Sequence, residues 1–233
     1  DNGLVFSAAD RQEADALRQL FLPFAQDVNR RLADCGFTLC TGGIMAGNPL
    51  WCLSLDEWRQ QFFEWVRRPE PQALLNATIF FDLRPLCGDA DLGETLRSLL
   101  LSLTVETPAF LHRVAGESGE SGEQVDLKKF GSRIFVDAAR IFALSGGARA
   151  VNTSARLQDA GLANGLQADE IVAVDAAFSH ILRLRLGHQI GAGPEGGNGV
   201  PLASLNDVDR AILKESLKQA RRLQQRLKLN YGL

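Results

Sequence analysis

The stretch Thr78-Ile79-Phe80-Phe81-Asp82-Leu83 decides how the first part of this chain is read. It is rich in β-branched and aromatic residues and is bounded by Pro85 and Gly88, which predicts a strand carrying one charge, Asp82. A carboxylate inside an apolar strand is costly to bury unless a metal, a hydrogen-bond network or an exposed edge accepts it. A salt bridge to Arg84, or exposure at the strand end, accounts for Asp82 as well as a catalytic role does.

Working back from there, Ser54 followed by Glu57 predicts a capping box, and Trp58, Phe62 and Trp65 then share one buried helix face. Phe37 to Cys40 reads as a brief strand ahead of the loop Thr41 to Pro49, with Trp51 in the core. Further back, Ala14, Leu17, Leu20, Phe21, Phe24, Val28 and Leu32 recur at helical spacing. That helix is expected to kink at Pro23 and to stop at Gly36. Leu4 to Phe6 is a short apolar strand with Asp1 just ahead of it. Strands alternating with helices predict an α/β layer. Two carboxylates on neighbouring strands, Asp1 and Asp82, are a usual way to hold Mg²⁺, whose shell substrate phosphates complete.

Beyond Leu92 the pattern is helical, through Leu99, Leu103 and Phe110, then Phe135 to Leu144, Ile171 to Leu186 and Val208 to Leu229. This predicts a helical bundle beside the α/β layer. The Gly-rich segments Gly116 to Gly122 and Gly191 to Gly199 lack the Gly-Lys-Ser/Thr ending of a phosphate loop and read as surface loops. The basic residues Lys214, Lys218, Arg221, Arg222 and Arg226 line the polar faces of the last helix, a solvated surface.

With 233 residues, 45% hydrophobic and 23% charged, the chain can bury a real core. A net charge of -3 gives no broad attraction to nucleic acid or to an anionic membrane, and neither partner is expected. The apolar runs fall short of the roughly 20 residues that span a bilayer, and the expected location is the cytoplasm. Cys35, Cys40, Cys52 and Cys87 lack the paired spacing of a zinc site and read as reduced thiols.

Several phrases carry a family resemblance. Asp1-Asn2-Gly3-Leu4-Val5-Phe6 looks like the tail of the acid-x-acid motif of nucleotidyltransferases, and Phe81-Asp82-Leu83 like the strand bearing their third acid. Gly43-Ile44-Met45-Ala46-Gly47-Asn48-Pro49-Leu50-Trp51, Ser54-Leu55-Asp56-Glu57-Trp58-Arg59 and Ile79-Phe80-Phe81-Asp82-Leu83-Arg84-Pro85 are more specific. They resemble a bacterial nucleotidyltransferase family related to PII uridylyltransferase, usually found behind CBS and cyclic-nucleotide-binding domains. Val125-Asp126-Leu127-Lys128, Asp137-Ala138-Ala139-Arg140, Asn152-Thr153 with Arg156-Leu157, and Leu184-Arg185-Leu186-Gly187-His188-Gln189 extend the likeness over nearly the whole chain.

The resemblance implies an α+β protein: an N-terminally truncated nucleotidyltransferase-like layer over residues 1–100, then an all-α substrate-binding bundle over residues 101–233. It implies Mg²⁺ as cofactor, a nucleoside triphosphate as substrate, and a PII-like protein, another protein or a small molecule as acceptor in signalling. Asp1 and Asp82 become metal ligands on adjacent strands facing one cleft, with Asp82 also the candidate base. Asp126, Lys128, Arg140, Arg185 and His188 become nucleotide- or substrate-binding residues. All but Arg185 have a plainer reading: Asp126 and Lys128 as a surface ion pair, Arg140 as a bridge between domains, His188 with Gln189 as a helix-end cap. Two departures matter. The Gly-Ser loop and first acid of the motif are absent, so this fragment alone is expected to transfer no nucleotide. The segment Gly116 to Glu123 is shorter and more polar than the family pattern. The rival reading is a catalytically silent ligand-sensing or interaction module.

Overall fold

The computed structural model describes residues 1–107, 124–192 and 198–231. The chain divides into two compact units, Asp1–Leu103 and Thr104–Leu233. The fold class is α+β, with a helical bundle forming most of it.

In the first unit β1 (Leu4–Phe6) pairs in parallel with β2 (Cys52–Ser54), in the register Leu4↔Cys52, Val5↔Leu53 and Phe6↔Ser54. Parallel strands need a long crossover, supplied here by helix α1 (Arg11–Asp34) and the loop behind it. The Asp10 carboxylate accepts from the Glu13 amide, and the Glu13 carboxylate from the Ala9 amide, which fixes the helix start. The helix continues through Pro23 and gives way at Gly36, whose φ of 93° only glycine adopts freely.

The apolar spacing finds this helix but not its buried face. Ala14, Ala25 and Asn29 are the buried residues, whereas Leu20 and Phe24 are 68% and 61% exposed. Small side chains let the helix approach the sheet, and Leu17, Phe21 and Leu22 pack partly against Phe6 and Cys52. Phe37 to Cys40 is not a strand: Phe37 and Leu39 are exposed, and β2 takes the place beside β1.

Helix α2 (Leu55–Arg67) begins with the expected capping box, in which Ser54 and Glu57 satisfy each other's backbone amides. Its buried Trp58, Phe62 and Trp65 join Trp51 and Phe80 in an aromatic cluster, with centroids 4.8 Å apart for both Trp51–Phe80 and Trp58–Phe80. Phe80, however, is not on a strand. The first half of the stretch read as a strand, Thr78 to Phe80, ends helix α3 (Pro71–Phe80), and Asp82 sits in the turn that follows. Pro71 presets the first helical φ, and Ala73, Leu74, Leu75 and Ala77 are strong helix formers. Leu74, Ala77, Phe80 and Phe81 are all buried, which helical spacing permits; a strand would send Phe80 and Phe81 to opposite faces. The Leu83 amide donates to the Phe80 carbonyl at 3.1 Å to close the turn. Helix α4 (Ala90–Glu106) follows.

The second unit holds α5 (Arg133–Ser145), α6 (Thr153–Ala160), α7 (Ala168–Ala192) and α8 (Asp207–Tyr231). Phe135, Ile141 and Phe142 of α5, Leu157 of α6, Ile181 of α7 and Leu213 and Leu223 of α8 are almost fully buried. Residue patterning does not foretell the two-stranded antiparallel ribbon, β3 (Gln124–Asp126) with β4 (Gly199–Pro201), or the π-helical turn Lys128–Ser132 that leads into α5. Gly131 in that turn lies against Ile181, to which an added Cβ would come within 3.0 Å. Of the two Gly-rich segments, Gly116 to Gly122 lies outside the described residues, as does 193–197 of the other. Among the described residues no helix is long and apolar enough to cross a membrane.

Candidate functional site

The N-terminal site is built on Asn2. Its side-chain oxygen accepts from the Ala46 amide at 2.7 Å and from Asn29 Nδ2 at 3.1 Å, while its own amide donates to the Ile44 carbonyl at 3.2 Å. Asn29 then accepts from the Gly47 amide at 2.9 Å, and Gln26 donates to the Gly47 carbonyl at 3.2 Å. Within the loop, Asn48 Nδ2 and Trp51 Nε1 both donate to the Gly43 carbonyl at 3.0 Å. The loop is therefore fastened to α1 and to the residue next to Asp1. Beside it opens a cleft of about 310 Å³, walled by Gln26, Asn29, Arg30, Gly43, Met45 and Asn48.

Asp1 itself is exposed. Gly3 is packed so closely that an added Cβ would come within 3.0 Å of the Trp58 ring and 3.4 Å of the Phe80 ring. Asp1 and Asp82 thus each stand two residues from one contact, that of Gly3 with Phe80, although they are not on adjacent strands. Among the described residues no three His, Cys, Asp or Glu side chains gather into a metal-holding group. A Mg²⁺ ion whose shell is completed by phosphates and water needs only one or two carboxylates, and aspartate is a suitable donor for it.

Glu57 anchors the far end of β2. Burial opposes its ionisation, but bonds from the Ser54 amide, Arg18 and the Ser54 hydroxyl prevail and hold its carboxyl below the usual range. Arg18 also donates to the Cys52 carbonyl at 3.0 Å, so it ties α1 to β2 and, through the Glu57 ion pair, to the start of the helix that follows β2.

Among the described residues of the helical unit, Asp126 and Arg185 share no direct bond and are linked only through Asn198 and Gly199, Asp126 pairing with Gly199 and Arg185 bonding Asn198. Asp126 makes no ion pair with Lys128. Its Oδ1 accepts from the Lys128 and Lys129 amides, both at 2.8 Å, and so starts the π-helical turn, while the Lys128 side chain is exposed. Asp126 pairs across the ribbon with Gly199, and the Leu127 amide donates to the Asn198 carbonyl at 3.0 Å. Asn198 in turn accepts from Arg185 Nη2 at 3.0 Å, and Ser132 Oγ accepts from Nη1 at 3.0 Å.

Arg140 is buried and bonded to Asp137 at 2.8 Å on its own helix, so its charge is already neutralised. Burial pushes the Asp137 carboxyl above its ordinary value, against the pull of Arg140 and Arg133. His188 does not cap a helix end, because α7 runs on to Ala192. Sequence reasoning missed Asn29, Ser132 and Asn198. Asn29 did leave a sign: it occupies a core-facing position in line with Ala14 and Ala25, where a lone amide calls for a partner.

Two family models match the chain. One, described as "Putative nucleotidyltransferase DUF294", covers residues 1–72. The other, described as "Putative nucleotidyltransferase substrate binding domain", covers residues 98–231, which is more than half of the chain. No curated protein and no solved structure matches it. By these matches the chain belongs to the DUF294 family of nucleotidyltransferases, with a nucleotidyltransferase part followed by a substrate-binding part.

Proposed function

We propose that this chain supplies the acceptor side and one metal-binding edge of a Mg²⁺-dependent nucleotidyltransferase that modifies a protein or small molecule in signalling. The observation that carries the reading is the loop Gly43 to Asn48, fastened through Asn2 beside Asp1 and bordering a shallow, open cleft. A loop held by side-chain amides before substrate arrives needs little reordering on binding, the condition under which positioning contributes most to rate. Nucleoside triphosphate would occupy this cleft. The carboxylates of Asp1 and Asp82 would hold Mg²⁺, which when bound neutralises charge on the transferred phosphate. The helical unit would bind the acceptor, a PII-like protein being one candidate, and CBS or cyclic-nucleotide-binding domains of the parent protein would regulate it.

The test is full-length protein incubated with each radiolabelled nucleoside triphosphate and Mg²⁺ in cell extract. A labelled product that requires Mg²⁺ is expected. Asp1→Asn and Asp82→Asn should each lower the rate by about a hundredfold, equivalent to ~2.7 kcal/mol of lost transition-state stabilisation, without changing the unfolding midpoint. Absence of label with all nucleotides would overturn the reading in favour of the silent module. Wild-type turnover by Asp82→Asn would remove that residue alone.

A further inference from the structure

Among the described residues the guanidinium of Arg185 is held only by neutral groups. Nη1 donates to Ser132 Oγ and Nη2 to Asn198 Oδ1, both at 3.0 Å, and among the described residues no carboxylate lies within ion-pairing distance of it. Its Nε–H is buried and has no acceptor among the described residues. Such an arrangement is unfavourable by itself, since a desolvated cation and an unmet donor both raise the energy of the folded chain. Asp126, the nearest acid along β3, directs Oδ1 to the Lys128 and Lys129 amides instead.

The groups around Arg185 share one chemical character. Ser132 accepts from Arg185 and keeps its hydroxyl hydrogen, and the Asn198 amide nitrogen donates to no acceptor among the described residues, so both have donors to spare. Nε–H and the remaining Nη hydrogens add the planar fork that matches two oxygens of one anion. The π-helical turn that carries Ser132 is a distortion often found at functional sites, and here the Ile181 contact with Gly131 leaves no room for a side chain to relieve it.

We propose that Arg185, Ser132 and Asn198 form an oxyanion-binding site in the helical unit, which receives a carboxylate or phosphate group of the acceptor. Arg185 compensates the anion's charge through the edge bearing Nε–H, and Ser132 and Asn198 fix its plane. This rests on the acceptor-side reading of the helical unit and deepens it, and its test needs no nucleotide.

The experiment follows the arginine Nε–H resonances of the full 233-residue chain by nitrogen-edited NMR during titration with inorganic phosphate, with acetate, and with chloride at matched ionic strength. Arg185→Lys identifies the peak by its loss. A saturable shift of the Arg185 peak, with a midpoint on the order of millimolar, is expected with phosphate or acetate and not with chloride. The preferred anion names the source, phosphate or carboxylate. Calorimetry should show at least a tenfold loss of that binding in Arg185→Lys, with an unchanged unfolding midpoint, and a smaller loss in Ser132→Ala. No shift with either anion, or an equal shift with chloride, overturns the proposal. Nucleotide transfer without an Arg185 response sinks only this site; an Arg185 response without transfer sinks only the catalytic reading.

Discussion

In the N-terminal unit Asn2, Asn29 and the Ala46–Gly47 backbone bond one another, with the Asn2 oxygen accepting twice. In the helical unit, by contrast, α7 carries all three of the buried side-chain atoms without a hydrogen-bond partner found among the described residues: Asp175 Oδ1, His180 Nε2 and Arg185 Nε. A network whose members satisfy one another holds its shape without a ligand. One that leaves donors and acceptors over gains from whatever fills them. The first arrangement suits a cradle with one geometry, the second a surface that changes its interactions when occupied.

The most severe break in this comparison is Asn29→Ala. It removes the acceptor of the Gly47 amide and the donor to Asn2 together, and urea unfolding should show a loss of ~2–3 kcal/mol in the first unit. The loop amides of Ala46 and Gly47 should also exchange faster with deuterium. A loss under half that size would mean that the loop is held by packing alone.

Glu57→Gln comes next. It keeps the shape of the capping box but removes the charge that Arg18 and the Ser54 amide stabilise, for an expected cost of about 1 kcal/mol. In the wild type the folded carboxyl titrates below its ordinary 4.5. Its contribution is therefore present above that pH and lost as pH falls through the lowered value. Glu57→Gln should flatten this part of the acid-unfolding curve.

Asp137 supplies the opposite sign. Its folded carboxyl titrates above its ordinary 3.8, chiefly through burial, so the folded state holds the proton longer than the unfolded state does. Stability from this group falls as pH rises from 3.8 toward the raised value. Urea midpoints measured across the acid range should lose that downward component in Asp137→Asn, whatever the variant's absolute stability. An unchanged pH profile would place the titration elsewhere.

The smallest effect should come from His180→Leu. His180 is buried at 7% exposure, and its Nε2 meets no partner among the described residues, so an apolar side chain of similar bulk gives up little. Stability within ~0.5 kcal/mol of wild type, or above it, is expected from thermal melts. A loss beyond that would reveal an interaction of His180 that its packing does not disclose.

What the sequence disclosed was mostly local. Ser54 and Glu57 lie three residues apart, and Trp58, Phe62 and Trp65 share a face through helical periodicity alone, so both were legible. Gly36 stopping α1 was legible for the same reason. Thr78 to Leu83 misled because Thr78, Ile79 and two phenylalanines favour a strand, while the deciding features, Pro71 and the Ala- and Leu-rich turn, lie upstream. Burial in the aromatic cluster then outweighed β propensity. Three-residue strands such as β3 and β4 leave almost no periodic trace, and their pairing joins Val125 to Val200 across most of the helical unit. The candidate sites divide in the same way. Asp1 and Asp126 stood out through their neighbours, whereas Asn2 needed Ala46, 44 residues away, before its role could be seen. Arg140 has the residue type of a substrate contact, and only its burial against Asp137 shows the charge already taken.

The parallel pairing of Leu4 with Cys52 also sets an order of events. It closes a loop of roughly fifty residues, whose entropy must be surrendered before the first rung between the strands returns anything. Helices α1 and α2 form from near neighbours and can precede it. The placement of Asp1 and Asn2 therefore depends on this long closure, whereas α1 and α2 rest on contacts between near neighbours.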